Sequence, residues 1–204
     1  MNKMRIFLTT LALLAGATVA ARAEDAPGAS DFVKRLFAVK SIDHKIYACF
    51  VRHYDAAHLA QHPLQKVSAM KLLLTVENVP DDAELQYSFR IGVNFRNRPG
   101  NFDSSGSCGR AEASTTKEGE LEIDCSVDCD GGGVAVALAG SDNKAVILRL
   151  DQIRIWDAKK PDPDAAQSLR GGADDRVFRL DRVDTENCAS LVADRKELAA
   201  MRHK

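Results

Sequence analysis

The stretch LQYSFRIGVNF, residues 85–95, decides the fold because its side chains change character at almost every step. One set of alternate positions is aromatic or aliphatic: Tyr87, Phe89, Ile91, Val93 and Phe95. Polar residues lie between them: Ser88, Arg90 and Asn94. Successive side chains of a β-strand point to opposite faces of a sheet, so this period of two predicts a strand with one buried face and one wet face.

The rest of the chain continues this β pattern in short segments. Runs rich in β-branched or aromatic residues predict further strands at 46–54, 67–76, 121–127, 134–138, 145–150, 153–156 and 176–183. Clusters of Asn, Pro, Asp and Gly, as in residues 78–82, 97–101 and 131–133, mark turns between them. The spacing predicts a mainly β fold, an antiparallel β-sandwich or barrel of about 7–9 strands.

Two short helices are expected to flank the strands. Residues 31–39 follow Ser30, a suitable N-cap, and carry apolar side chains at helical spacing. Residues 185–201 predict a C-terminal helix on the same grounds. Residues 157–175 contain two prolines, two glycines and almost no apolar side chain, which predicts a surface loop.

The first 23 residues are typical of a cleaved secretory signal peptide. Lys3 and Arg5 precede an apolar run over residues 6–20, and Ala21-Arg22-Ala23 provides the small-x-small site that signal peptidase cuts. The run is too short and too rich in Ala and Gly for a good membrane span, although an uncleaved anchor is the alternative. We therefore expect residues 24–204 to form a single exported β-rich domain in the periplasm or outside the cell.

Charge argues against nucleic acid as a main partner. Lys3, Arg5 and Arg22 lie in the leader, so the 28 basic side chains fall to 25 after cleavage, against 29 acidic ones. The resulting net charge of −4 is interspersed along the chain without a basic block. No later apolar run approaches the ~20 residues of a spanning helix, so no transmembrane segment is expected in the mature chain.

Five cysteines lie in the mature part: Cys49, Cys108, Cys125, Cys129 and Cys188. In an oxidising compartment pairs of cysteines usually become disulfides, and an odd number leaves one thiol over. We expect one bridge among Cys108, Cys125 and Cys129, and a second between Cys49 and Cys188. The remaining thiol is expected to be a small buried hydrophobe, with a bond to a partner or a reactive thiol as alternatives.

Four of the five histidines lie within residues 44–62. A short helical turn ending at Pro63 would place Asp55, His58 and His62 on one face, with the two imidazoles one turn apart. Such a group can hold Zn²⁺ or Cu²⁺, so transition-metal binding or metal-dependent hydrolysis is one hypothesis. The alternatives are a polar connection whose histidines hydrogen-bond locally or face solvent, and a pH-sensing role.

A second candidate ion site lies in DCSVDCDGGG, residues 124–133. Asp124, Asp128 and Asp130 at a glycine-rich strand end are oxygen ligands of the kind that Ca²⁺ prefers. The spacing does not fit an EF-hand, because Ser126 stands where the first Asp ligand should be. A glycine-rich hairpin stapled by a disulfide is the simpler interpretation.

Signals for catalysis are weak. The sequence has no Gly-x-Ser-x-Gly elbow and no phosphate-binding glycine loop ahead of a helix. Polar loops hold much of its Gly, Pro and Asp. The sequence therefore favours a non-enzymatic exported protein that binds another envelope protein, a glycan or a small ligand.

Overall fold

The computed structural model describes residues 29–79, 84–113 and 120–202, and the expected leader lies outside them. Within these ranges nine strands follow one another: β1 (Ile46–His53), β2 (Val67–Glu77), β3 (Gln86–Phe95), β4 (Arg98–Ala113), β5 (Leu121–Ser126), β6 (Gly132–Leu138), β7 (Ala145–Asp157), β8 (Gln167–Arg170) and β9 (Val177–Val183). The α-helices are α1 (Ala29–Phe37), α2 (Ala56–Gln61) and α3 (Arg195–Arg202), and the 3₁₀ helices are η1 (Pro163–Ala165) and η2 (Thr185–Leu191). The predicted mainly β fold is confirmed.

Hydrogen bonds between the strands close the sheet into a ring. Strands β1 to β6 pair in sequence order, each antiparallel to the next. Strand β9 pairs with β1, β7 pairs with β9, and β6 pairs with β7. Eight strands therefore form a closed antiparallel barrel, and β8 is added to it through β7.

A β-bulge in β7 decides where β8 lies. Leu150 donates its backbone N–H to the carbonyl of Arg176 at 2.8 Å, and the carbonyl of Asp151 accepts the N–H of Gly171 at 2.7 Å. Two consecutive residues of β7 thus bond to the same side, which is the pattern of a β-bulge. The register between β6 and β7 shifts at the same place. Beyond the bulge, β8 takes the position along β7 that β9 holds before it.

One large apolar core fills the barrel. Phe89, Ile91 and Val93 of β3 are buried in it, as the alternation predicts. Phe50 of β1 and Phe178 of β9 are buried in the same core. Each such side chain contributes about 1.5–3 kcal/mol when it leaves water, so the barrel is stabilised mainly from within.

Arg182 fastens α1 to the barrel. Its guanidinium donates to the carbonyls of Leu36 at 2.8 Å and Arg35 at 3.2 Å, in the last turn of α1, and to the carbonyl of Asn143 at 2.7 Å. Burial lowers the pKa of Arg182 from its usual high value. The C-terminal carbonyls of a helix carry its partial negative charge, so a cation at this place both caps α1 and holds it against β9.

The β3–β4 connection differs from the prediction. Residues 97–101 were expected to form a turn, but Phe95 pairs with Arg98 and only two residues intervene. Strand β4 therefore starts inside the expected turn, in a segment whose sequence pattern does not indicate a strand. Its first half contains Pro, Gly, Asn, Asp and Ser, which have low strand propensity, and pairing with β3 overrides that propensity.

The C-terminal half also differs in its boundaries. The two strands expected at 145–150 and 153–156 are one strand, because the bulge interrupts the alternation but not the pairing. The loop expected at 157–175 contains β8, which buries Leu169. The helix expected at 185–201 is divided into η2 and α3, and Asp194 starts α3 by accepting the N–H of Glu197 at 2.7 Å.

No helix in the described part has the length and apolar character needed to cross a membrane.

Both expected disulfides are present. Cys49 and Cys188 join β1 to η2, and Cys108 and Cys125 join directly opposed residues of β4 and β5. The remaining thiol, Cys129, is exposed, so the expectation that it is buried is wrong. Cys129 lies in the turn before β6 with a φ of 57°, and its neighbours Asp128 and Asp130 are exposed with it.

An ionic network holds α3 against the barrel. Glu197 lies 2.8 Å from Nη2 of Arg90 on β3 and 3.2 Å from Nζ of Lys45. Burial alone would raise the pKa of Glu197, but hydrogen bonds from Arg90 and Lys45, together with their positive charge, outweigh burial and lower this pKa. The folded protein therefore stabilises the ionised form of Glu197.

Part of the stability should depend on the ionisation of Glu197. Because its pKa is lower in the folded state, its contribution is present at neutral pH and is lost as the pH falls through the folded-state pKa. Glu197→Gln should lower the free energy of unfolding by about 1–3 kcal/mol at about pH 7, and by much less at about pH 3. Urea unfolding followed by circular dichroism measures both values.

Glu77→Gln is the matched control. Glu77 is half-exposed and lies 3.5 Å from Nζ of Lys45. Exposed ion pairs contribute about 0–1 kcal/mol, so this variant should change stability little at either pH. An equal loss for Glu197→Gln at both pH values would contradict the role given to Glu197.

Candidate functional site

Helix α2 forms where the sequence predicts a short helical turn. Asp55 is its N-cap, and Oδ1 of Asp55 accepts the backbone N–H of His58 at 2.8 Å. His62 ends the helix, donating its N–H to the carbonyl of His58 at 3.1 Å. Pro63 follows and cannot continue the helical hydrogen bonds. The fold thus brings Asp55, His58 and His62 close together.

The two imidazoles of α2 stack instead of pointing at a common centre. The ring centroids of His58 and His62 are 4.3 Å apart with an interplanar angle of 26°, and Tyr54 stacks on His58 at 4.6 Å. Nε2 of His58 lies 3.0 Å from Oε1 of Gln65, and Nδ1 of His62 lies 3.9 Å from Oδ1 of Asp174. The three rings form a column beside the barrel.

Tyr54 stays protonated at the base of this column. Burial raises the pKa of its phenol; Arg52 opposes the rise, and the carboxylates of Asp175 and Asp181 add to it. The guanidinium carbon of Arg52 lies 5.6 Å from the Tyr54 ring centroid. A neutral phenol in this position packs against the histidine rings and does not supply charge.

The Zn²⁺ or Cu²⁺ site expected at Asp55, His58 and His62 stays a prediction. Across residues 29–79, 84–113 and 120–202, no three His, Cys, Asp or Glu side chains are grouped so that they could hold a metal ion. The Asp55 carboxylate is engaged by the N-terminus of α2, and the His58 ring is engaged by Gln65. The structure therefore offers a stacked histidine pair without a third ligand among these residues.

Among the described residues, the acidic side chains of the glycine-rich turn are not grouped so that they could hold a metal ion either. The Ca²⁺ hypothesis stays a prediction. Asp124 is exposed on β5, and Asp128 and Asp130 are exposed in the turn that leads to β6. Asp130 has a φ of 59°. The segment is a hairpin between β5 and β6, and a disulfide ties β5 to β4.

Residues 63–66, the connector, join α2 to β2. Asp175, which is 1% exposed, accepts the N–H of Lys66 at 2.7 Å and the N–H of Val67 at 3.1 Å. Asp174 accepts the N–H of Leu64 at 3.1 Å. These carboxylates accept backbone N–H groups of the connector and of the first residue of β2, so the connector is held in place without regular secondary structure.

A cleft of about 600 Å³ lies between the connector, the β3–β4 turn and β8. Ile155 and Leu169 line it as buried side chains, and Phe95 lines it as a half-buried one. Leu64 of the connector lines it with 64% of its surface exposed. This volume and apolar lining fall in the range of clefts that bind small ligands or short peptide segments.

The cleft is cationic. Lys66, Arg96, Arg98 and Arg170 line it, and none of the described lining residues is acidic. None of these four side chains forms an ion pair with a carboxylate in the described part of the chain. A concave surface lined by one sign of charge focuses its field and attracts ligands of the opposite sign.

Two of the arginines are held in position. The guanidinium carbon of Arg98 lies 3.9 Å from the ring centroid of Phe102, and its Nη1 donates to Oε1 of Gln167 on β8. Nη1 of Arg96 donates to the carbonyl of Leu59 at 3.2 Å. Each guanidinium keeps further N–H groups for a ligand, because arginine has five donors.

Sequence reasoning missed this cleft because its cations come from three separate segments. Only the barrel brings residues 66, 96–98 and 170 to one place. The available signal was local: Arg96-Asn97-Arg98 places two cations on a tight turn, where loops usually carry binding residues. That signal does not show which other segment faces the turn.

No family model, curated protein or solved structure matches the chain. Four cations and several apolar side chains line the cleft together. Their positions are fixed in part, because Arg98 stacks on Phe102 and two carboxylates anchor the connector.

The backbone hydrogen bonds to Asp175 should contribute more to stability than the one to Asp174. Asp175→Asn replaces one acceptor oxygen by an amide that faces a backbone donor, so it should lower the free energy of unfolding by about 1–3 kcal/mol. Asp174→Asn, at a more exposed carboxylate with one backbone bond, should cost less than about 1 kcal/mol. Urea unfolding of both variants measures the difference. Equal effects would contradict the anchoring role of Asp175.

Proposed function

We propose that this chain is an exported binding protein whose cationic cleft holds an anionic ligand with an apolar part. The proposal rests on one observation: the cleft is lined by four cationic side chains that form no ion pair with a carboxylate in the described part of the chain. They line the same cleft as the apolar side chains Ile155, Leu169 and Leu64. Charge and apolar surface in one cleft suit a ligand that has both.

Like charges that share a cleft repel one another. Two unit charges 4 Å apart interact by about 1 kcal/mol in water and by more where the solvent is partly excluded. An anion that binds among them reverses the sign of this interaction. The planar donor fork of arginine matches the oxygens of carboxylates, phosphates and sulfates, which extends the fit from charge to geometry.

The lining favours binding over catalysis. None of its described residues is His, Cys, Asp or Glu, the side chains that most often move protons or attack substrates. Ser168 is the hydroxyl among them, and neither a histidine nor a carboxylate of the lining lies beside it to activate it. The groups present are those that attract and orient an anion.

Export agrees with the covalent structure. Two disulfides join β1 to η2 and β4 to β5, and such bridges persist in oxidising compartments. Among envelope proteins, glycans and small ligands, the cleft favours those that present an anion. In this proposal the barrel is a rigid support that presents the connector, the β3–β4 turn and β8 to the ligand.

The dye anilinonaphthalene sulfonate, an anion on an aromatic frame, is a suitable probe. We expect the native protein to bind it, and the double variant Arg96→Glu, Arg170→Glu to bind it at least about tenfold more weakly. Fluorescence titration measures the Kd, and added salt should weaken binding to the unmodified protein because it screens the charges.

The double variant Arg195→Glu, Lys196→Glu is the control with the same change in net charge. Both residues are exposed on α3 and do not line the cleft. It should bind the dye within about twofold of the unmodified protein, because the electrostatic effect in the cleft is local. Equally weaker dye binding in both double variants would show that net charge alone attracts the dye, and would contradict the proposal.

A further inference from the structure

Strand β8 has a backbone edge that no other strand in the described part covers. Gly171, just after β8, donates its N–H to Asp151 of β7 at 2.7 Å. Hydrogen-bonded positions alternate along an antiparallel pair, so Leu169, two residues before Gly171, also bonds to β7. By the same alternation the backbone N–H and C=O groups of Ser168 and Arg170 point away from β7.

Among the described residues, neither flanking strand extends beside this edge. Strand β9 begins at Val177, which lies opposite Arg149, before the bulge. Strand β1 ends at His53, and the chain turns into α2. The connector then passes along the same cleft that β8 lines. The cleft therefore has a strand edge on one wall and an anchored, irregular segment on the other.

We propose that the cleft binds an extended acidic segment of a partner protein as an additional strand on β8. The inference rests on the proposed function of the cleft and specifies its ligand. The outward backbone groups of Ser168 and Arg170 supply main-chain hydrogen bonds, the usual basis of strand addition to a sheet edge. The surrounding cations then select the sign of the side chains on the added strand.

Charge decides between an acidic partner and a second copy of this chain. Pairing two β8 edges would bring Arg170 and the other cleft cations of both copies together, and like charges at an interface cost free energy. Charged side chains on short edge strands oppose self-pairing for this reason. An acidic segment meets the same cations with the opposite sign and is attracted to them.

Exposed apolar surface sets a second requirement for the segment. Leu64 and Val177 are the large apolar side chains that stay most exposed in the described part, at 64% and 57%. Leu64 lies in the cleft. Side chains of an added strand alternate between two faces, so a segment that alternates acidic and apolar residues places one kind by the arginines and the other by Leu64.

Synthetic peptides of about eight residues, within the usual range of strand lengths, test the proposal. The first alternates Glu and Val. Two further peptides have the same sequence but are N-methylated on every second residue, in one phase or the other, which removes the donors along one edge and keeps every charge. A fourth peptide has Lys in place of Glu. Fluorescence anisotropy with the mature, disulfide-bonded protein measures their binding.

We expect the Glu-Val peptide to bind and to displace anilinonaphthalene sulfonate. At least one methylated form should bind about tenfold more weakly, because main-chain hydrogen bonds to β8 are lost. The Lys-Val peptide should not bind. In Arg170→Glu the affinity for the Glu-Val peptide should fall, again by about tenfold, since a like charge then faces the added strand.

Other results would overturn the inference. Equal binding of the methylated and unmethylated peptides would show that charge alone acts, and failure of the Glu-Val peptide on protein that still binds the dye would exclude strand addition. Both results leave the proposed anion site intact, whereas loss of dye binding as well would remove that proposal too. A self-dimer in sedimentation velocity that the peptide does not dissociate would assign the edge to a second copy.

Discussion

The structure depends on the backbone hydrogen bonds of β7. This strand pairs with β9 and β6 in its first half and with β8, β6 and β4 toward its end. Without the β6–β7 pairing the sheet would be open, with two long edges and a core exposed along them. Closure around Phe50, Phe89 and Phe178 lets a chain of ordinary size bury one continuous apolar core.

The bulge in β7 links this constraint to the candidate site. Because Leu150 and Asp151 both bond to the same side, the strand bends and exchanges β9 for β8. The chain after β8 then supplies Asp174 and Asp175, which fix the connector on the opposite wall of the cleft. The cleft is therefore a consequence of how the barrel closes, and its cations are exposed on segments that are hydrogen-bonded to the barrel.

Alternation and turn signals were sufficient to predict the β class, the approximate strand number and the helical turn at α2. They failed where pairing overrides propensity, as in β4, or where a four-residue strand lies in a polar stretch, as in β8. The same limit applies to the site. Histidines close in sequence drew attention to Asp55, His58 and His62, whereas the cations of the cleft are distant in sequence and meet only through strand order, which periodicity does not contain.

Residue-resolved amide hydrogen exchange, measured by NMR on the disulfide-bonded protein, tests the closure of the barrel by β7 and the free edge of β8. If β7 closes the barrel and leaves β8 with a free edge, amides at the centre of β7 should exchange among the slowest in the protein. In β8 the amide of Leu169 should be slow, and those of Ser168 and Arg170 fast. Uniform protection along β8 would show that its second edge is covered, and fast exchange at the centre of β7 would show that the barrel does not close there.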